Sequence, residues 1–344
     1  AVLVGTVVAV VDLGRLVAWA VNRVRARVVP EPVPAPAPLA MAGVAGSGGE
    51  SAPEPRAPEA ANGSGPESPE RRLFLARVAA GGAVVAGGGL SAFGVWRAYA
   101  EPVVTELSVV VPRLPRTLDG MSIVQVSDVH VSTLIQRRFM DEMVRRCNAL
   151  KPDLMAITGD LVDGSVEALG HHASALSNLR TRFGSFFVTG NHEYYSGDVE
   201  WSAALEGMGV TVLRNRHVTV GDAGGKLDIV GVDDWTGRGG ERPYDFDKAV
   251  EGRNRDHAAV LLAHQPRDFE KAVEHGIGLQ LSGHTHGGQL FPGTLFIPML
   301  WPRPAGHFTL GDGHLYVSRG TGFWGPPMRV GAPPEIVKIV LRSA

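Results

Sequence analysis

The chain has 344 residues, with 33 lysines and arginines against 35 aspartates and glutamates for a net charge of −2, 44 glycines, 24 prolines and one cysteine. That length accommodates one large domain and something smaller, and the near-zero charge excludes the strongly basic surface that tracks nucleic-acid phosphates, so no nucleic acid is expected as a partner. Cys147 alone can form neither an internal disulfide nor a thiolate cage, so any metal must be held by His, Asn and carboxylate side chains.

Residues 1–29 come first in chain order. Positions 1–21 are mostly Val, Ala and Leu, carry Asp12 and Arg15 in mid-span, and run into the basic cluster Arg23, Arg25 and Arg27. This reads as a transmembrane segment with a truncated start, since no initiator Met precedes it. Residues 30–70 mix proline with Ala, Gly, Ser and Glu, contain no aromatic residue and show no apolar period. Such a segment cannot bury enough surface to offset its ordering entropy and is expected to be a disordered linker. Within 71–100, positions 78–96 are 19 residues without a charge, between Arg71, Arg72 and Arg77 on one side and Arg97 on the other. As a helix they would span roughly 28 Å, about one bilayer core. Six glycines make the same stretch a poor soluble helix.

The arginines flanking the linker are self-consistent under the positive-inside rule. With both clusters cytoplasmic, the second helix exits and everything after residue 100 is extracytoplasmic, attached to the cell membrane. A second description gives the same destination. Glu70-Arg71-Arg72-Leu73-Phe74-Leu75 resembles a twin-arginine export signal, and Ala98-Tyr99-Ala100 resembles an A-x-A cleavage site. The two descriptions differ in whether the remainder stays tethered.

From about Glu106, short β-rich runs alternate with amphipathic stretches, which predicts an α/β domain over 101–344. Strands are predicted at 106–111, 122–126, 154–157, 185–188, 210–213, 226–232, 259–263, 278–281, 314–317 and 335–341. Helical spacing over 137–150 places Met143, Cys147 and Leu150, with Phe139 or Met140, on one stripe. Five of the apolar runs each end in metal-capable side chains: Asp128 and His130, then Asp160, then Asn191, His192 and Glu193, then His264, then His284 and His286. In open α/β sheets, ligand sites gather outside the carboxyl ends of strands, so five such loops can converge on one crevice. In Asp128-x-His130 and His284-x-His286, the i, i+2 spacing in an extended backbone would send both side chains the same way. One loop could then clasp one metal twice or serve two metals once each. Gly159, Gly190, Gly283 and Gly287 suit tight turns and close backbone approach.

The ordered set Asp128-x-His130, Gly159-Asp160, Gly190-Asn191-His192-Glu193, His264 and Gly283-His284-Thr285-His286 resembles the calcineurin-like metallophosphoesterase superfamily over roughly residues 105–344, and looks most like its bacterial membrane-associated or exported subgroup. The resemblance implies a two-sheet β-sandwich flanked by helices, preceded here by N-terminal membrane segments. It implies two divalent metal ions, of the Mn, Fe or Zn kind, with Asp128, His130, Asp160 and His286 as ligands of one. Asp160, Asn191, His264 and His284 would hold the other, and His192 would be the catalytic histidine at the phosphoryl group or leaving oxygen. The implied reaction is hydrolysis of a phosphomonoester or phosphodiester by metal-bound hydroxide. Asp163 and Glu193 read either as support for ligands or as solvated loop carboxylates, and His171 and His172 as surface residues.

After the last ligand block, Phe291, Phe296, Met299, Leu300, Trp301, Phe323 and Trp324 form an apolar and aromatic set in proline-rich loops. They either line a lipid-facing mouth or cover the edge of the core. Two further function classes follow: a phospholipid or lipid-linked pyrophosphate hydrolase, and a catalytically silent scaffold of the cell envelope. An intact set of buried charges argues against the scaffold.

Overall fold

The predicted strands are apolar at successive rather than alternate positions, the pattern of strands covered on both faces. The computed structural model describes residues 69–237 and 243–344. The segments expected at 1–29 and, but for its last two residues, at 30–70 lie outside the described residues. In chain order the strands are β1 (Val103–Val110), β2 (Ser122–Val126), β3 (Leu154–Thr158), β4 (Ser185–Val188), β5 (Val210–Val212), β6 (Arg216–Asp222), β7 (Gly225–Gly231), β8 (Ala258–Leu262), β9 (Leu279–Ser282), β10 (Gly306–Leu310), β11 (Gly313–Val317) and β12 (Glu335–Arg342). The helices are α1 (Pro69–Tyr99), α2 (Arg137–Ala149), α3 (Val166–Ala173), α4 (Asn191–Ser196), α5 (Asp198–Gly207), α6 (Phe246–Val250), α7 (Phe269–Glu274) and α8 (Gly293–Leu300).

The strands make two six-stranded mixed sheets, in the orders β1-β12-β2-β3-β4-β5 and β10-β11-β9-β8-β7-β6. Alternate residues of each strand separate into two cores. Ile123, Leu154, Ala156, Leu227, Ile229, Val260 and Leu279, from both sheets, fill the space between them. Their neighbours Val124, Val126, Met155 and Ile157 face outward onto Met140, Met143, Val144 and Cys147 of α2 and Trp201 and Leu205 of α5. Val230, Ala259 and Leu261 likewise face Phe246 and Ala249 of α6 and Ala272 of α7. The result is the expected α/β sandwich flanked by helices. Burial pushes the Cys147 thiol up to about 12, which leaves it an inert core residue.

Ten of the twelve strands coincide with predicted ones. The two that do not, β6 and β10, are the outer strands of the second sheet. Their half-exposed residues lack the continuous apolar run that marks the interior strands. The proline-rich segment after His286 also differs from expectation, since it contains helix α8 rather than loop alone. Phe323, placed with the apolar mouth, belongs instead to the core.

The chain divides into two compact units, 1–84 and 85–344. Of the first, residues 69–84 are described and are the start of α1. Among the described residues, α1 is the one helix long and apolar enough to cross a membrane by length and composition. Within the second unit, Gly94 and Ala98 of α1 are buried. Gly94 packs so closely that a Cβ there would stand 2.8 Å from Val330.

Candidate metal centre

Strands β2, β3 and β4 run parallel in one sheet, and β7, β8, β9 and β11 in the other. The loops leaving β2, β3, β4, β8 and β9 carry all the predicted donors, and they meet where the two sheets come together. Gln125 fixes the meeting point from below, its Nε2 donating across the sandwich to the carbonyl of Ser282 at 2.9 Å.

The backbone route to this convergence is not the extended one expected from the i, i+2 spacing. Asp128, His130, Asp160, His284 and His286 all have positive φ, between 50° and 74°. Left-handed residues, a conformation that Asp and Asn adopt more readily than most, turn each loop back on itself. Asp128 and His130 still reach one place, and His284 and His286 reach two. Close approach then demands glycine. A Cβ on Gly190 would lie 2.2 Å from Asp160 Oδ1, and one on Gly283 would lie 2.0 Å from Ser127 Oγ and 2.2 Å from Asp128 Oδ2.

The donors form three overlapping groups: Asp128, His130 and His286; His130, Asp160 and His192; and Asp160, His264 and His284. In the first, His286 Nε2 stands 3.1 Å from His130 Nε2 and 3.4 Å from Asp128 Oδ1. In the last, His264 Nε2 stands 3.1 Å from Asp160 Oδ2 and 3.2 Å from His284 Nδ1, which is 2.9 Å from Asn191 Oδ1. Two donors bound to one ion at about 2.0–2.1 Å stand roughly 3.0 Å apart at a right angle and 3.4 Å apart at the tetrahedral angle. The observed spacings have that size, so the side chains fit divalent cations. Asp160 Oδ2 is also 4.0 Å from both His130 Nε2 and His192 Nε2, which makes it the atom shared between the groups.

A surrounding layer orients these donors. His130 Nδ1 lies 2.8 Å and His192 Nδ1 2.7 Å from the same oxygen of Asp163, and His264 Nδ1 donates to the carbonyl of Thr158 at 2.8 Å. Glu193 is buried, and its carboxylate accepts four backbone N–H groups: those of Asp160, Gly190, Leu161 and Val162. The alternatives left open for Asp163 and Glu193 thus resolve to support for the donor loops. His172 takes a hydrogen bond from the backbone N–H of Arg137 and, with His171, lies apart from the centre.

Sequence reasoning missed Arg329. It is fully buried, and its Nη2 lies 2.9 Å from His286 Nδ1. It also donates to the carbonyls of Gly322, Arg319 and His286. A neutral imidazole that accepts at Nδ1 carries its proton on Nε2, the atom facing Asp128 and His130. For Nε2 to hold an ion, the proton would have to sit on Nδ1 and Arg329 would have to rest on its carbonyl partners Gly322, Arg319 and His286 alone. No sequence signal marks this arginine, which is isolated in a proline-rich tail.

Electrostatics suit cation binding. Burial opposes charge on Asp160, but His264, then His130 and His192, hold its carboxyl well below the usual range. Asp163 is likewise held at about 2, its hydrogen bonds with His130 and His192 outweighing burial. Burial and the nearby His264 push His284 down to about 3, and burial and Arg329 push His286 well below its ordinary value. Both rings are neutral at pH 7, the form that ligates metal. His192 is raised, its contacts with Asp163 and the charge of Asp160 outweighing burial.

A family model for calcineurin-like phosphoesterases matches residues 121–288, which contain all the predicted donors. A transmembrane protein with a metallophosphoesterase domain from Bos taurus is 39% identical over 272 residues, covering 74% of this chain and 60% of its own length. The metallophosphoesterase YkuE of Bacillus subtilis is 33% identical over 289 residues, covering 79% of this chain and 98% of its own. A metallophosphoesterase of Aquifex aeolicus is 34% identical over 235 residues, covering 67% and 88%. The chain belongs to the calcineurin-like phosphoesterase family. It spans about 60% of the length of the transmembrane relatives from Bos taurus and Danio rerio.

The Glu193 cap generates a stability prediction. Glu193→Ala strands four buried N–H groups and is expected to cost about 3 kcal/mol or more in denaturant unfolding, whereas Glu193→Gln keeps one accepting oxygen and loses less. Equal stability of the alanine variant and wild type would contradict this account of the loop.

Proposed function

We propose that the protein is a dinuclear metal-dependent phosphoesterase acting on a phosphomonoester or phosphodiester. In this reading Asp128, His130, Asp160 and His286 hold one divalent ion, and Asp160, Asn191, His264 and His284 the other. The observation that carries it is the chain of overlapping donor groups: Asp160 Oδ2 stands 3.1 Å from His264 on one side and 4.0 Å from His130 on the other, and His130 is grouped in turn with Asp128 and His286. The mixture of imidazole, carboxylate and amide donors suits Mn, Fe or Zn. Ions bound there supply Lewis-acid neutralisation of phosphoryl oxygens and lower the pKa of water. The chain's own contribution is to fix the donors, exclude bulk water and place a proton donor. His192 fits that last part, with Nδ1 anchored on Asp163 and Nε2 turned toward Asp160, so it can protonate the departing alkoxide. A silent scaffold is disfavoured because it would bury Asp128, Asp160 and several imidazoles to no purpose.

We further propose that the chain is a membrane protein, divided as 1–29, 30–70, 71–100 and 101–344, with the catalytic part outside the cytoplasm. The apolar helix α1 supports the anchor, as do relatives named transmembrane proteins. The burial of Gly94 and Ala98 supports a retained helix over one cleaved at Ala98-Tyr99-Ala100.

The full chain in detergent should bind about two divalent ions and lose phosphodiesterase activity on a chromogenic substrate when chelated; activity untouched by chelator, with no stoichiometric metal, would end the reading. Asn191→Ala should lower metal occupancy and rate together. His192→Ala should keep both ions and slow poor leaving groups by roughly 10²- to 10⁴-fold while sparing good ones. Equal slowing of both kinds of substrate would remove the acid role. For topology, replacing Arg71 and Arg72 by Lys keeps the charge but should abolish twin-arginine recognition. Insertion with the domain still accessible to external protease is expected; loss of export would instead favour the twin-arginine route.

A further inference from the structure

Between His286 and Arg303 the chain has no charged residue, and in the middle of this stretch helix α8 buries none of its residues. Met299 is 81% and Leu300 76% exposed, with Phe291, Leu295, Phe296 and Trp324 also exposed. Scattered apolar residues on a surface are ordinary, but a contiguous apolar, charge-free helix marks a surface that something covers. What covers it is indicated by two neighbours.

The first neighbour is the metal centre. Trp301, the residue after α8, places its ring 5.0 Å from that of His284, and Trp324 places its ring 6.0 Å from that of His192. Arg267 is fixed at the same rim, its guanidinium 4.7 Å from the ring of Trp301 and 5.2 Å from that of Trp235. The second neighbour is the last part of α1. The backbone N–H of Arg329 donates to the carbonyl of Gly94, the N–H of Val330 to that of Gln289, and the N–H of Phe291 to that of Val330. One strip of chain, 328–330, therefore has α1 on one side and the segment leading into α8 on the other. The charge-free stretch of α1 ends at Trp96, within a turn of Gly94, so the boundary of a bilayer around α1 falls at this strip. The chain enters α8 from this same strip, at Phe291.

We propose that α8 and Trp324 form a lip that inserts into the bilayer at the mouth of the metal centre, and that the substrate is an amphiphilic phosphate ester drawn from the membrane plane. Its chains would lie against Phe296, Met299 and Leu300, its phosphate would reach the donor set past Trp301 and Trp324, and Arg267 would face an anionic headgroup. The substrate class rests on the phosphoesterase reading above, while the insertion itself does not.

Two measurements on the full chain test the proposal separately. In the first, Met299→Cys provides a single exposed thiol, since Cys147 is buried. A bimane label there, in protein reconstituted into phosphatidylcholine vesicles, should be quenched by brominated acyl chains. An unquenched label, or one shielded by cross-linking to a second copy, overturns the lip. In the second, the triple variant Phe296→Glu, Met299→Glu, Leu300→Glu should hydrolyse a soluble chromogenic phosphodiester within about twofold of wild type. On vesicle-embedded phosphatidate it should lose at least tenfold, and wild type should prefer phosphatidate to glycerol phosphate. Equal loss on both substrates, or no preference in wild type, overturns the substrate class. A wild type inactive on every ester defeats the phosphoesterase reading and the substrate class with it, and quenching still decides the lip.

Discussion

Every polar atom of Asp160 is committed. Its N–H donates to Glu193, its carbonyl accepts from the N–H of His130, its Oδ1 accepts from the N–H of His192, and its Oδ2 faces His264. One residue in the loop after β3 thereby ties together the loops after β2, β4 and β8, the last across the gap between the sheets. The rest of the centre is arranged around this carboxylate. It explains why Gly190 can carry no side chain, why Glu193 is buried beneath the loop, and why the two donor groups meet rather than standing apart.

That convergence is held at a conformational cost. Among the described residues ten non-glycine positions have positive φ, and five of them are donors. Each left-handed residue costs roughly 1–2 kcal/mol, so the surroundings must over-determine the loops. They do so with backbone bonds between them: Asp128 N–H to the Gly159 carbonyl, Gly283 N–H to the His264 carbonyl, and Val131 N–H to that of Leu161. The strain falls where donors must be aimed, and the sandwich below it is regular and apolar.

This division decides what could be read from the sequence. The interior strands were legible because burial on both faces leaves an unbroken apolar run, and the donors were legible because each follows such a run directly. The outer strands β6 and β10 were not, since an edge strand needs neither face fully apolar. The convergence of Asp128 with His130 was foreseen for the wrong reason, because spacing alone does not reveal a positive φ. Arg329, Asp163 and Glu193 act through contacts with chain as far as 33 to 43 residues away or inside folded loops, and a lone arginine or carboxylate carries no periodicity that would announce such a contact. Helix α8 was hidden by Pro292 and Pro298, which at sequence level signal a loop; Pro292 precedes the helix, and the turn around Pro298 tolerates the missing N–H.

Arg329 joins helix α1 to the donor set. Its backbone N–H holds the carbonyl of Gly94 in α1, and its guanidinium touches His286 and the carbonyls of Gly322 and Arg319 in the loops beneath the donors. Gly94 has to be glycine for this approach, because a Cβ would collide with Val330 and crowd Met328. The last turns of α1 therefore pack into the loops beneath the donors, with Gly94 and Ala98 buried. Tyr99 extends the same contact, its ring packing edge-on against Phe323 at 5.3 Å, one residue before Trp324. Within 85–344, Gly94, Ala98 and Tyr99 thus hold the last turns of α1 against the loops beneath the donor set. For the proposed lip, such a contact matters because it keeps the exposed apolar helix α8 close to the chain that leaves α1, where a flexible tether would leave it free to turn away.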